Sequence, residues 1–195
     1  MLDDTHPMLD TALKEWSIVC DLLLSGELAL LLRKGGIHET GGPGVFELEH
    51  PRFLLFPSYV HQKPQMVKPN MRDRVEVLDE EPHEITFRGL GEAAKIWQVP
   101  SRLALDQLDA LHCWSPAQID MRFNYKPERP LYLVAVRAHR LAQPLTIQNH
   151  AEYSGCRSWV ALRPGDAVDD SGATPVLDDH HFGQITSQVD QAFEA

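Results

Sequence analysis

The chain predicts an α+β fold built on a small mixed, mainly antiparallel, partly closed sheet with flanking helices. Three observations lead there. Short apolar runs of strand length recur along the chain, helical signatures sit apart from them, and no regular strand–helix alternation joins the two. The 195 residues, 43% of them hydrophobic and 24% charged, are enough for one real core and too apolar for whole-chain disorder.

Taken in order, residues 10–24 predict an amphipathic helix. Asp10 serves as N-cap, Leu13, Trp16, Cys20 and Leu23 recur at helical spacing, and Gly26 closes the C-terminus. Leu28-Ala29-Leu30-Leu31-Leu32 is a continuous apolar run of strand length that ends at Arg33-Lys34. Five glycines in the ten residues 35–44 predict a mobile loop. Val45 to Glu49 alternates as a second strand, and Phe53-Leu54-Leu55-Phe56, bounded by Pro51 and Pro57, predicts a third.

Residues 73–84 are polar and acidic and read as an excursion from the core, after which Ile85-Thr86-Phe87 predicts another strand. Ser101 caps a helix containing Leu103, Leu105, Leu108 and Leu111, and Ser115-Pro116 opens a second that ends near Phe123. Leu131 to Val136 is the strongest strand signal, with 145–147 and 159–162 as its expected partners. Residues 1–165 are therefore expected to form a single α+β domain. Residues 166–195 are expected to be an acidic linker, rich in Gly, Pro and Asp over 166–178, and a C-terminal helical extension over 182–193.

The formal net charge of −10 argues against a general nucleic-acid binder, because phosphate contacts need local positive charge. Its distribution weakens that objection. Residues 166–195 carry seven acids and no Lys or Arg, so the first 165 residues hold only −3. Within them, residues 122–163 carry seven bases (Arg122, Lys126, Arg129, Arg137, Arg140, Arg157, Arg163) against two acids. A nearly neutral body with a basic face and an acidic end is one reading, and a mixed solvated surface is the other. No apolar run reaches about 18 residues, so no membrane-spanning helix is expected. The acidic opening Met1-Leu2-Asp3-Asp4 is unlike a signal peptide, and three widely spaced cysteines form neither a disulfide framework nor a CxxC site. A cytoplasmic protein is expected.

Four segments carry a family resemblance. They are Leu13-Lys14-Glu15-Trp16, Leu31-Leu32-Arg33-Lys34-Gly35-Gly36-Ile37, Phe53 to Gln62, and Tyr153-Ser154-Gly155-Cys156-Arg157-Ser158-Trp159. Together, over residues 10–165, they resemble the bacterial family called domain of unknown function 1802. Arg-Lys-Gly-Gly-Ile and Phe-Pro-x-Tyr-x-His-Gln are the specific part, because core packing explains neither. That family has no settled activity. The resemblance implies a bacterial protein sometimes linked with restriction-type nuclease domains, and so a role in handling nucleic acid. The strand–loop–strand layout is also similar to that of the small PUA-like barrels that bind RNA and modified bases.

The candidate ligand-binding residues are Arg33, Lys34, Gly35, Gly36, Tyr59, His61, Gln62, Arg157 and Trp159. Arg33 and Lys34 before a glycine turn suit a phosphate or carboxylate, although no Walker A loop is present. Tyr59, His61 and Gln62 leave a strand end with a phenol, an imidazole and an amide, which suit a base edge or proton transfer. Arg122, Tyr125, Lys126, Arg129, Arg137 and Arg140, with Arg157 and Trp159 downstream, interleave bases with aromatics, which suits phosphate contacts and base stacking and equally suits strands with Arg on the wet face. The same residues also suit plain structural roles, with Tyr59 capping the core and the charges keeping strand ends solvated.

His38, Glu39, His50 and His61 have no ligand spacing that fixes a metal, adjacent His180 and His181 suggest adventitious binding, and no metal site is expected. No nuclease Glu-x-Lys pair or G-x-S-x-G elbow occurs, and Cys20 at helix spacing is expected in the core. No motif names a cofactor or an oligomeric state. The expected function is a nucleic-acid-associated, restriction- or defence-linked binding module whose partner is a nucleic acid or nucleotide. The alternatives are a phosphodiester- or nucleotide-acting enzyme with His61 as general acid/base, and a protein-interaction domain.

Overall fold

Phe53, Leu54, Leu55 and Phe56 are all buried, and a strand covered on both faces belongs in the interior of a sheet. The computed structural model, which describes residues 8–34, 50–155 and 158–194, places them there. The strands are β1 (Thr11–Trp16), β2 (Leu30–Arg33), β3 (Arg52–Ser58), β4 (Glu84–Gln98), β5 (Tyr132–Gln148), β6 (Trp159–Ala161) and β7 (Thr174–Pro175). They make one sheet in the order β2-β5-β4-β3-β1-β6, with β7 joined to β5. Among the described residues only β1 and β3 pair in parallel; the other pairings are antiparallel. The sheet curls into a half-barrel, and the fold is α+β as the strand and helix signals predict.

The two faces of β3 fill two cores. Phe53 and Leu55 enter the larger, with α1 (Ser17–Ser25), β2 and the first half of β5; Leu54 and Phe56 enter the smaller, with Phe87, Leu90, Ile147 and Tyr153. α2 (Arg102–Asp106), α3 (Pro116–Asn124) and α4 (Asp179–Glu194) cover the larger core through Leu105, Ile119, Phe182 and Val189. Among the described residues no helix is long and apolar enough to cross a membrane.

Local chemistry explains the helix ends. The Ser101 and Ser115 hydroxyls accept from the N–H groups of Ala104 and Gln118, three residues on in each case. Gly26 closes α1 at φ 83° and donates to the Leu23 carbonyl. The helix expected from Ser101 is interrupted: α2 ends at Asp106, and Asp109–Leu111 is a separate 3₁₀ turn.

The segment 10–24 departs from expectation. Its first half is β1, and α1 begins only at Ser17. The hydrophobic spacing suits a helix, but β3 offers a backbone partner to residues 12–16 and β6 one to residues 11–13, and that pairing prevails. Residues 132–136 and 145–147 are not separate strands either; both belong to the 17-residue β5, and β6 pairs with β1 rather than with that strand. Pro144 falls where the β4–β5 register jumps from Phe87–Leu145 to Gly89–Arg140, so no ladder hydrogen bond is lost there. Gly89 is required at the same irregularity, since a Cβ would lie 2.3 Å from the His139 carbonyl oxygen. The strand expected at 45–49 and the glycine loop lie outside the described residues.

Residues 166–194 contact the sheet. Val168 bridges to Leu9, β7 pairs with β5, and the Arg137 guanidinium lies 4.4 Å from the centre of the Phe182 ring. Three acids of this segment form ion pairs with the sheet: Asp170 with Arg52 at 2.7 Å, Asp179 with Arg137 at 2.7 Å and Asp190 with Lys95 at 2.6 Å.

Candidate functional site

Because β1 and β3 run in parallel, both deliver their carboxyl ends to the same rim, with Trp16 opposite Ser58. A cavity of about 320 Å³ opens there. Lys14, Glu15 and Trp16 line it from β1, Phe56 and Ser58 from β3, and His61 from the turn beyond. Arg33 lines it from the end of β2 and Arg122 from α3, while Glu81, Asn149 and the turn at 153–155 close the remaining side.

Charge is concentrated in the wall. Glu15 and Arg33 form a close ion pair with side chains only 5% and 11% exposed. Arg122 donates to the Leu32 carbonyl at 2.9 Å and lies 5.1 Å from the Trp114 ring, which in turn meets Trp16 edge-on. Burial pulls the Arg122 pKa down while Glu15 opposes the shift, and a guanidinium stays charged regardless. Lys14 reaches across the cavity, donating to the Tyr153 carbonyl at 2.5 Å and the Gly155 carbonyl at 3.3 Å, with its ammonium 5.1 Å from the Phe56 ring. Two arginines and one lysine against Glu15 and Glu81 leave a local excess of positive charge, in a setting where charge is expensive to leave unmatched.

Of the residues singled out from the sequence, Arg33 and His61 meet in this cavity. His61 is exposed, and no carboxylate or carbonyl among the described residues orients its imidazole. Tyr59 points elsewhere, into a second cavity of about 210 Å³ that it shares with Asp21, Glu76 and Arg88; burial, reinforced by Glu76, raises its pKa. Gln62 is only 2% exposed. Its Oε1 accepts from the Ile18 N–H at 3.1 Å, and its Nε2 donates to Ser17 Oγ at 2.8 Å and to the Glu76 carbonyl at 2.6 Å. It thus satisfies the start of α1, whose N-cap Trp16 offers no side-chain bond.

Lys34 donates to the Phe123 carbonyl at 2.9 Å, at the C-terminus of α3, where a cation is favoured. Trp159 packs edge-on against His50 and Phe53, at 5.2 and 5.3 Å, and does not line the cavity. Gly35, Gly36 and Arg157 lie outside the described residues, as do His38 and Cys156. Cys20 is buried in the core; burial raises its thiol pKa and pushes that of Cys113 up to about 12, so neither is a ready nucleophile. Among the described residues no group of three or more His, Cys, Asp or Glu is placed to hold a metal ion.

Sequence reasoning passed over Lys14, Glu15, Trp16, Ser58 and Glu81 as site residues, and took Arg122 only as one base in the run 122–163. One signal was present: Leu13-Lys14-Glu15-Trp16 is among the segments that carry the family resemblance. A helix assignment, however, concealed that Lys14 and Glu15 point to opposite sides of a strand end.

The family resemblance now has a measured extent. The sequence profile of the family described as domain of unknown function (DUF1802) matches residues 12–188. The chain belongs to the DUF1802 family. The match covers most of the chain and runs past residue 165 into the acidic segment and α4. No curated protein matches it. Among solved structures it is similar to the ASCH protein of Zymomonas mobilis, at a TM-score of 0.46 and 12% identity over 80% of this chain and 89% of that one. A Tyr-to-Phe mutant of the same protein gives 0.43 and 13% over 80% and 91%, and a Ser-to-Ala mutant 0.44 and 12% over 83% and 94%.

Proposed function

We propose that this DUF1802 protein is a binding module that takes one nucleotide unit, free or within a single-stranded nucleic acid, into the cavity at the ends of β1 and β3. One observation carries the reading: Lys14, Arg33 and Arg122 converge with the planar groups of Trp16, Phe56 and His61 around about 320 Å³. Cavities of about 300–1,000 Å³ with apolar walls and a few placed polar groups are the usual form of small-ligand sites. Cations beside aromatic planes suit a phosphate next to a base.

A single unit fits better than a long tract. Among the described residues, four of the bases of 122–163 are already engaged: Arg137 is paired with Asp179, Arg163 with Glu152, Arg140 is bound to the Leu24 carbonyl, and Arg122 lies inside the cavity wall. The chain as a whole, at −10, repels a polyanion beyond the site. Binding rather than catalysis is favoured because His61 has no orienting partner among the described residues, which a general base needs.

The test is fluorescence anisotropy of a labelled single-stranded oligonucleotide with the full chain. Binding should weaken with salt at a log–log slope of about −1.4, corresponding to two phosphate contacts. His61→Ala should weaken it by about fivefold or more, the loss of one stacked base, with an unchanged melting temperature. No binding at low salt would end the reading.

A further inference from the structure

The donors at the end of β3 already hold an anion of the protein's own. Glu81 Oε1 accepts from Ser58 Oγ at 2.6 Å, and the two carboxylate oxygens accept from the Tyr59 N–H at 3.2 and 3.1 Å. The Val60 N–H adds a contact to Oε1 at 3.3 Å. Two successive backbone N–H groups and a hydroxyl aimed at one negative group form an anion cradle. Ser58, Val60 and Glu81 all line the cavity that Lys14, Arg33 and Arg122 make positive.

We propose that the Ser58–Tyr59–Val60 cradle is the phosphate subsite of this cavity, and that Glu81 is a built-in competitor displaced when a ligand phosphate arrives. The proposal rests on the nucleotide reading above and names the subsite that recognises the phosphate.

Two features of the described residues make Glu81 displaceable. It takes part in no ion pair, whereas Glu15, the other carboxylate of the cavity, is held by Arg33. Its segment is pinned on either side, by Gln62 Nε2 on the Glu76 carbonyl at 2.6 Å and by Asn149 Nδ2 on the Pro82 carbonyl at 2.9 Å. Between those points residues 77–80 make no hydrogen bond to a described residue, so withdrawal of the Glu81 carboxylate breaks only its own contacts. A phosphate offers the same three donors more acceptor oxygens and more charge, next to three cations. In the free protein Glu81 occupies the cradle and lowers the positive charge of the cavity, so an anion binds there only by competing with it.

The test uses the full chain labelled with ¹⁵N and titrated with inorganic phosphate, following the Tyr59 and Val60 amide resonances. In Glu81→Ala these two resonances should move at a phosphate concentration about tenfold lower than in wild type, the scale of one charge-assisted hydrogen bond in competition. Adding Ser58→Ala should cancel the gain. Glu81→Gln preserves side-chain bulk and should show a gain of the same sign, so it decides the matter if Glu81→Ala does not fold. Equal phosphate response in wild type and variants, or shifts that spare Tyr59 and Val60, would overturn the proposal.

A parallel titration with a mononucleotide and its unphosphorylated nucleoside separates the sources of phosphate. Tighter binding of the nucleotide than of either inorganic phosphate or the nucleoside supports the full reading. A phosphate response without any nucleotide or oligonucleotide preference leaves the subsite standing and removes the nucleotide reading. Oligonucleotide binding that is unaffected by Glu81→Ala removes the competitor and leaves the binding module.

Discussion

Gln62→Ala discriminates between a ligand-reading and a structural glutamine. In the structure the Gln62 side chain makes three hydrogen bonds: with the Ile18 N–H, Ser17 Oγ and the Glu76 carbonyl. Ile18 and Ser17 are buried, so truncation leaves the Ile18 donor at the start of α1 and the Ser17 hydroxyl away from water, at about 1–3 kcal/mol for each unsatisfied group. Glu76 is exposed and water replaces the lost donor there. The sum is a destabilisation of about 3 kcal/mol, which in a chain of this size lowers Tm by about 6–12 °C. Urea unfolding followed by far-UV circular dichroism gives the free energy, and oligonucleotide anisotropy below the transition gives the binding. The expected result is a large loss of stability with residual native protein that still binds. A Tm within about 2 °C of wild type combined with lost binding would refute the structural assignment and return Gln62 to the ligand.

Two further outcomes follow from the buried charges. Glu15→Ala leaves Arg33 inside the cavity wall without its carboxylate and should cost about 3–5 kcal/mol by urea unfolding; a loss below about 1 kcal/mol would mean the pair is hydrated. The His112 pKa is lowered from 6.5 to about 4, by burial first and then by nearby Lys68, while its Nδ1 accepts from the Trp114 N–H at 3.2 Å. Between pH 6.5 and 4 the unfolded chain therefore binds the extra proton. The contribution is complete above pH 6.5 and is lost as pH falls, amounting to about 3 kcal/mol by pH 4. Unfolding free energies at pH 7 and 4 should drop less in His112→Asn than in wild type by that amount, and parallel losses would contradict the assignment.

Part of the fold was legible because it depends on neighbours in sequence. Ser101 and Ser115 bond backbone N–H groups three residues on, Gly26 supplies a left-handed residue at a helix end, and Phe53 to Phe56 has no polar face to show to water. Of the site, Arg33 and His61 were legible as chemistry at strand ends. Lys14 and Glu15 were not, because their segment satisfies helical spacing as well as strand spacing. Gln62 misled because an amide that satisfies a helix 45 residues away looks the same in sequence as one that awaits a ligand.

The sequence by itself determined the α+β class, the family, and the excess of acids in residues 166–195. Tertiary structure alone decided what those features do. Asp170, Asp179 and Asp190 meet Arg52, Arg137 and Lys95 across 118, 42 and 95 residues of chain, so part of the negative charge of this segment is taken up in the sheet it contacts. The parallel pairing of β1 with β3, which brings Lys14 beside Phe56 and Trp16 opposite Ser58, was equally out of reach. Caps and turns are set by contacts a few residues apart, whereas strand order, ion pairs and cavities depend on which distant segments share a backbone edge. No local pattern encodes that choice.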